Sequence, residues 1–582
     1  MQFEIKGKDF YKDGKPIKII SGAVHYFRNM PDTWDDIFAK MKACGCNCVE
    51  TYCAWNQHEK VKGIFDFSGI LDVVSFIKKA GEYGLMAIVR PGPYICAEFD
   101  FGGLPWWLHN EPNMVIRCRN KSFIKCFDAY LDEMLSRLKP LLCTNGGNII
   151  MMQVENEYSM YGDDKVYLRY IRDGYIARGI DVPLFTSDGI LKEQLQDGTI
   201  EGCLPTINFG TNVEEKFRAH DEMFPNVPKM CMELWNGWFD AWGDEKHHTQ
   251  DVGIYAQTVD DMLKRGSVNI YLFIGGTNFC FTSGANHYKK FAPTVTSYDY
   301  DALLTECGDT TEKYFAVRNV IQKYTDEPLP EVPHNREKKA YGSLKASQSA
   351  SLFDNLENLS IPIYSDIPLP MEEYGIGNGY ILYTSILERN YNNEFIAFES
   401  VGDRAQVYIN DKHIGTVYTC DEDLKIENFT AKSGDRITIL CESLARVNFG
   451  RKMMVRKGIV GILQVSHNKQ HFGWEVYPLP MDNLDRIVWT NEIKQGTNQF
   501  YVFELNIQGE PRDTFLRTDN FRKGFVLING FNIGRFWEIG PQKTLYVPKS
   551  LLKEGKNEII LFDGDGIKGE PIIEFTDKPD LG

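Results

Sequence analysis

IIMMQVENEY (149–158) is an apolar run that ends in two acids, and KMCMELWNGW (229–238) repeats the pattern further along the chain. An apolar run of this length, bounded by turn-prone sequence, reads as a strand buried on both faces. Working outward from these two, eight such strands are predicted: Ile17–Val24, Cys46–Tyr52, Leu85–Arg90, Asn148–Val154, Pro183–Ser187, Thr206–Phe209, Lys229–Leu234 and Val268–Phe273. Between most of them, apolar residues recur at three- and four-residue spacings, predicting helices over Trp34–Ala43, Leu71–Tyr83, Phe123–Leu138, Asp164–Arg178 and Tyr255–Arg265. Eight strands with intervening helices over roughly 260 residues predict an α/β fold, a (β/α)8 barrel of the TIM type. A doubly wound sheet would usually need fewer strands.

Beyond about residue 325 the texture changes. DEPLPEVPHNREKK (326–339) is rich in Pro and charge and reads as a linker. Short alternating runs bounded by Gly, Asn and Asp follow, as in β-sandwiches. A repeat runs through them. VYINDKHIG (407–415) matches VLINGFNIG (526–534), and SGDRITIL (433–440) matches EGKNEIIL (554–561). Each first piece is a strand, a turn whose residues tolerate positive φ, and a second strand. The expected organisation is a catalytic barrel over 1–325, a linker over 326–345, a first β-sandwich over 346–475 and a second, jelly-roll-like β-sandwich over 476–582. The β units are expected to be scaffolding, with sugar binding or shaping of the barrel mouth as the alternatives.

Composition narrows the function. The chain has 582 residues, 43% hydrophobic and 25% charged, which suits a globular protein with a full core. A net charge of −16 argues against nucleic acid or anionic lipid as partner, because both need basic patches. No apolar run is long enough to span a membrane. The N-terminus MQFEIKGKDFYKDGK has no apolar core of the secretory kind. Scattered cysteines without an export signal read as reduced thiols, so a cytoplasmic protein is expected. Base rates allow a homo-oligomer.

In such barrels the reacting groups lie at the C-terminal ends of the strands. There the fourth strand carries Glu155-Asn156-Glu157 and the seventh Glu233. Strands three apart in a ring of eight place their ends across one opening, where two carboxyls can approach within the ~5–5.5 Å of a retaining glycosidase. That chemistry needs one protonated carboxyl to give a proton to the leaving oxygen and one carboxylate to attack the anomeric carbon. If strand geometry persists, Glu155 and Glu157 share a face and Asn156 points away. Spacing does not decide between the two acids, and salt-bridged acids at the mouth remain the structural alternative.

Aromatics are abundant at 13%, and Trp235, Trp238 and Trp242 flank Glu233. Sugar rings present C–H faces that stack on indole. Trp235 and Trp238 are therefore candidates for substrate contact, whereas Trp34 and Trp107 read as core. Cys44, Cys46 and Cys48 alternate into a strand and read as packing rather than as a metal site. His247-His248 reads as a surface loop, and Gly275-Gly276 as a tight turn. His25 either touches substrate or closes the barrel.

Several segments resemble glycoside hydrolase family 35, the β-galactosidases of the lysosomal-enzyme type. The matching stretches are SGAVHYFR (21–28), RPGPYICAE (90–98), GGLP (102–105), QVENEY (153–158), GGTNF (275–279), SYDYD (297–301), RVNFG (446–450) and INGFNIGR (528–535). The resemblance covers nearly the whole chain. It implies a TIM barrel with galactose-binding-like β domains, retention of configuration, Glu157 as acid/base and Glu233 as nucleophile. It further implies a galactose pocket built from Tyr52, Ala97, Glu98, Asn156 and Tyr300. Glu98 and the Ala97 main chain would hold ring hydroxyls, Asn156 would bond near the reacting carbon, and Tyr300 would steady the nucleophile. No cofactor and no metal are implied. Trp235 stands where many members carry Tyr, as in bacterial members resembling β-1,3-galactosidases. Phe281 replaces a hydroxylated aromatic, Phe99 replaces Trp, and Lys60 follows His58-Glu59 where Pro is usual. Trp235, Trp238 and Phe449 are expected to grip the leaving sugar.

The leading expectation is an exo-acting retaining β-galactosidase on galactosyl oligosaccharides or glycoconjugates, with a β-1,3 preference. The alternatives are a β-galacturonidase or exo-β-glucosaminidase of the same mechanism, or a non-catalytic carbohydrate-binding protein. A galacturonidase should place Arg or Lys near the sugar C6.

Overall fold

The computed structural model describes residues 1–467 and 469–582. Eight parallel strands close into a barrel in chain order: β1 Ile20–Val24, β2 Cys48–Tyr52, β3 Met86–Arg90, β4 Ile149–Gln153, β5 Leu184–Asp188, β6 Cys203–Phe209, β7 Met230–Trp235 and β8 Ser267–Ile274. Every residue in them is buried except the half-buried Trp235. Helices cover one face and packed side chains fill the other, so the strands read as continuous apolar runs. The predicted (β/α)8 barrel is the observed fold.

The edges differ in detail. Lys15–Ile17 does not open β1. It pairs antiparallel with Asp9–Lys12 as the edge of a small N-terminal sheet, where Pro16, which lacks an N–H, is tolerated. The five expected helices are present as Trp34–Cys44, Val73–Glu82, Lys121–Leu138, Lys165–Ala177 and Val252–Arg265. Asp72, Asn120, Asp164 and Asp251 cap four of them by accepting first-turn amides. Sequence reading passed over Lys192–Gly198 and Glu312–Ile321. Among the described residues no helix is long and apolar enough to cross a membrane.

Two β units follow. In the first, a six-stranded sheet faces the three-stranded sheet Lys425–Ala431, Tyr391–Gly402 and Gly458–Val465 across a core that includes Ile381, Val407, Ile439 and Trp474. In the second, five- and four-stranded sheets enclose Phe503, Val526, Leu545 and Phe575. The sequence repeat is a structural one. Arg404–Ile409 pairs with Lys412–Tyr418 and Arg436–Ser443, and Lys523–Ile528 pairs likewise with Phe531–Trp537 and Gly555–Asp563. Its turns, Asn410-Asp411 and Asn529-Gly530, have positive φ throughout.

The expected domain limits shift. Gly342–Lys345 and Gln348–Ser351 pair with Ile572–Thr576 and Gln499–Ile507, so they are strands of the C-terminal unit rather than linker or first sandwich. Trp474–Leu479 lies in the six-stranded sheet of the first unit, past the expected limit at 475. Both units have the same alternating texture, which cannot assign an edge strand to its partner.

One connection between units shapes the site. β9 (Gly284–His287) follows the barrel, and β10 (Arg446–Phe449), supplied by the first β unit, pairs parallel with it, setting Phe449 opposite Asn286. The Tyr94 hydroxyl donates to the Asn448 carbonyl at 2.6 Å, and the Arg446 amide donates to Asp100 Oδ1 at 2.8 Å.

Candidate active site

The chain past β4 settles which acid faces the opening. Glu155 and Glu157 both adopt left-handed backbone, at φ 58° and 46°, so strand alternation stops at Gln153 and the two side chains part. This corrects the expectation of a shared face. Glu155 turns into the protein and accepts Arg117 Nε and Nη2 at 3.1 and 2.9 Å, the Tyr167 hydroxyl at 2.9 Å and the Asn156 amide at 2.7 Å. Its acceptor capacity is used by the scaffold. Glu157 instead lines a cavity of about 280 Å³ at the C-terminal end of the barrel.

Glu233 reaches the same cavity from β7, where a register shift after Cys231 re-aims the strand end. Its Oε1 lies 2.8 Å from both the Tyr52 hydroxyl and Arg90 Nη2, and Oε2 lies 3.2 Å from Trp235 Nε1. Three donors, one cationic, converge on this one carboxyl. The Arg90 guanidinium also covers the Tyr52 ring at 4.0 Å and donates to Asn156 Oδ1 at 2.6 Å. Gln153 Nε2 approaches that same oxygen at 3.1 Å. With Oδ1 so engaged, the buried Asn156 Nδ2 has no partner among the described residues and is left for a ligand.

Glu157 has a different setting. Its one side-chain donor among the described residues is Asn208 Nδ2, at 3.1 Å. Burial, and then the Glu233 charge, raise its pKa well above the usual carboxylate range, against smaller opposing effects of Asn208 and Arg90. One carboxyl is surrounded by donors and the other is kept neutral, which is the division a proton donor and a nucleophile need.

The third wall is Cys96-Ala97-Glu98, three consecutive left-handed residues at φ 56°, 53° and 45°. Each costs on the order of 1 kcal/mol, so the surroundings must hold them. Arg28 Nη2 donates to the Ala97 carbonyl at 2.6 Å and the Gly284 amide to the Glu98 carbonyl at 2.8 Å. Glu98 accepts the Tyr298 hydroxyl at 2.6 Å, and burial pushes its pKa up to about 6 despite that bond.

The ten residues expected to build the site line this one cavity, Tyr52, Ala97, Glu98, Asn156, Glu157, Glu233, Trp235, Trp238, Tyr300 and Phe449, whereas the candidates Glu155 and His25 do not. One expected role moves. The hydroxyl beside Glu233 belongs to Tyr52, while Tyr300 packs edge-on against Tyr271 and tilted against Trp238. Sequence reading missed Arg90, Tyr271, Asn286 and Tyr288. Arg90 was legible as the strand-end cation after LMAIV, whereas Asn286 and Tyr288 sit on a hairpin with no strand-end signal. His25 does not reach the cavity. It is fully buried, 2.7 Å from Arg28, and held neutral by burial and by the Arg28 and Arg90 charges. Phe281 packs on Phe525 at the barrel–β interface, and Phe99 on Phe27, so neither departure from the family pattern touches the pocket. Trp34 and Trp107 are core.

Away from the cavity, Cys44, Cys46 and Cys48 are buried free thiols. His247-His248 lies in a loop, as expected, with His248 exposed, but the His247 side chain turns inward. His247 is largely buried and bridges Asp240 at 2.6 Å and Asp299 at 3.4 Å, and burial, which opposes its charge, is outweighed by these acids, lifting its pKa to about 10. Asp240, Asp244 and His248 offer donor atoms within 4.8 Å of one another. Hydrogen bonds already engage them: Asp240 accepts from both histidines, and Asp244 accepts the Ala241 amide at 2.7 Å.

Residues 9–324 match the model for glycosyl hydrolases family 35, residues 368–480 that for the β-galactosidase first all-beta domain, and residues 499–557 that for the β-galactosidase galactose-binding domain. The chain is 40% identical to beta-galactosidase-1-like protein 2 of Homo sapiens, covering 100% of this chain and 92% of that protein. It is 39% identical to the beta-galactosidase of Xanthomonas manihotis, over 94% of this chain and 92% of the other. It is 38% identical to that of Bos taurus, over 99% and 93%. The chain belongs to glycosyl hydrolase family 35.

Proposed function

We propose that the protein is an exo-acting β-galactosidase that removes a terminal β-galactose by double displacement. Glu233 attacks the anomeric carbon while Glu157 gives its proton to the glycosidic oxygen. The C–O bond to the leaving sugar breaks, and a galactosyl ester forms on Glu233. Esterification removes the Glu233 charge, so the pKa of Glu157 falls. It then takes a proton from water, which attacks the ester and frees galactose with retained β configuration. Tyr52, Arg90 and Trp235 hold Glu233 for attack, and Asn156 Nδ2 is free to bond the hydroxyl beside the reacting carbon.

The observation that carries this reading is that Glu157 and Glu233 line one cavity in opposite settings, one carboxyl neutralised and the other ringed by donors. The cavity, just below the ~300–1,000 Å³ of typical small-molecule sites, suits a single sugar and hence exo action. Trp235 and the 45% exposed Trp238 stand edge-to-face at its mouth, 6.0 Å apart, and offer a leaving sugar a stacking surface; the β-1,3 preference rests on Trp235 standing where many members of the family carry Tyr. A galacturonidase is disfavoured, because among the described residues the cavity is lined by no Arg or Lys. Proton NMR of a fresh digest of galactosyl-β-1,3-N-acetylglucosamine, in which the only galactose is the one released, tests the proposal. β-Galactose should appear first and mutarotate to α, whereas initial α-galactose means inversion and rejects double displacement.

A further inference from the structure

The cavity mouth carries a charge pattern opposite to that of the whole chain. Because β9 and β10 run parallel, the residues that follow them emerge at the same edge. After β9 comes Tyr288-Lys289-Lys290, and after β10 comes Gly450-Arg451-Lys452. Tyr288 and Phe449 line the cavity and meet with ring centroids 6.3 Å apart. The four cations therefore stand just outside an aromatic pair that forms part of the cavity wall. All four are exposed, and Tyr288 is 70% exposed.

The second turn is anchored rather than loose. Met453 is buried in the core of the barrel, which leaves Arg451 and Lys452 on the outer side. Arg456 and Lys457, further along the same segment, are paired with Glu373 and Asp403. Lys289, Lys290, Arg451 and Lys452 form no ion pair among the described residues. In a chain of net charge −16, four unpaired cations beside the active-site mouth are a local reversal of sign. At physiological ionic strength the Debye length is about 8 Å, so an anion at the mouth feels these neighbours more than the distant acids.

We propose that the leaving-group side of the site recognises galactosides whose aglycone carries an anionic substituent, a sulfate or a carboxylate, on the sugar next to the galactose. The inference rests on the exo-β-galactosidase reading and adds the substrate class. Galactose fills the closed end, the next sugar crosses Trp238 and Phe449, and its anionic group points to the turns at 288–290 and 450–452.

The test uses the full chain and galactosyl-β-1,3-N-acetylglucosamine, its 6-sulfate on the reducing sugar, and the matching disaccharide with a uronate as reducing sugar. The ratio of kcat/KM for an anionic substrate to that for the neutral one should be about three to ten at about 0.01 M ionic strength. It should fall below about two at about 0.5 M. The variant Lys289→Gln/Lys290→Gln/Arg451→Gln/Lys452→Gln should bring the low-salt ratio to about one. A preference confined to the sulfate or to the uronate identifies which anion is read and supports the inference. A wild-type ratio of one or less, or one that survives salt or the quadruple variant, overturns it. If the neutral disaccharide is not cleaved either, the β-galactosidase reading itself fails.

Discussion

The Tyr52 hydroxyl lies 2.8 Å from Glu233 Oε1 and 3.0 Å from Asn156 Oδ1, linking the proposed nucleophile to the amide beside the proposed proton donor. A phenol has one proton to give, and a charged acceptor makes the stronger bond, so Glu233 receives it. Tyr52→Phe keeps the ring under Arg90 and removes only that bond. The predicted outcome is a fall in kcat of about 10–100-fold with little change in KM, as for loss of a hydrogen bond to a charged group. A changed KM with normal kcat would place Tyr52 in substrate binding alone.

Asn156 offers its amide Nδ2 to the ligand because Oδ1 is engaged by Arg90 and Gln153. Asn156→Ala should lower kcat/KM for a galactoside by about 10–1,000-fold. With a 2-deoxygalactoside the same substitution should cost at most a few-fold, because the partner is already missing. Equal losses on both substrates would mean that Asn156 acts through the scaffold.

Glu155 and Glu157 are two residues apart and should respond differently to loss. Glu157→Ala removes the proposed proton donor, and azide, a small nucleophile that needs no general base, should restore turnover of an activated aryl galactoside as galactosyl azide. Glu155→Ala strands a buried Arg117 and should cost about 3–5 kcal/mol of stability, with no azide rescue. Rescue of the Glu155 variant instead would exchange their roles.

Glu157 is kept protonated first by burial and then by the Glu233 charge. Removing that charge in Glu233→Gln should lower the Glu157 pKa, seen as a downward shift of its carboxyl-carbon titration by NMR. An unchanged midpoint would leave burial as the sole cause.

Glu50 lies inside the barrel with Oε1 3.7 Å from Arg90 Nε and without a hydrogen bond at that oxygen. Burial raises its pKa to about 7, against the Arg90 charge. The native state therefore holds a proton there that the unfolded chain releases near ~4.3. That contribution to stability is fully present below the unfolded pKa and is lost as pH rises through the folded one. Glu50→Gln cannot ionise, so its stability relative to wild type should rise by about 1–3 kcal/mol between pH 5 and pH 8. Denaturant midpoints at the two pH values measure the difference.

The barrel was legible because its strands are buried on both faces and their apolar runs stand out from amphipathic helices. Glu157 and Glu233 were legible as acids at strand ends. What separates Glu155 from Glu157 is a pair of left-handed backbone angles and a bidentate Arg117, neither of which leaves a mark in spacing. Arg90 and Tyr52 act together with Glu233 only because the ring closes. Phe449 belongs to the site because β10 adds to β9 across a large sequence gap. The exchange of edge strands between the two β units was hidden for a related reason, since alternation reports a strand and not its neighbour.

The most direct measurement of the double displacement is to trap its intermediate with 2-deoxy-2-fluoro-β-galactosyl fluoride and map the adduct by peptide mass spectrometry. The predicted result is time-dependent inactivation with one fluorogalactosyl group on Glu233. A label on Glu157 or Glu155, or full activity after prolonged exposure to the fluoride, would contradict it.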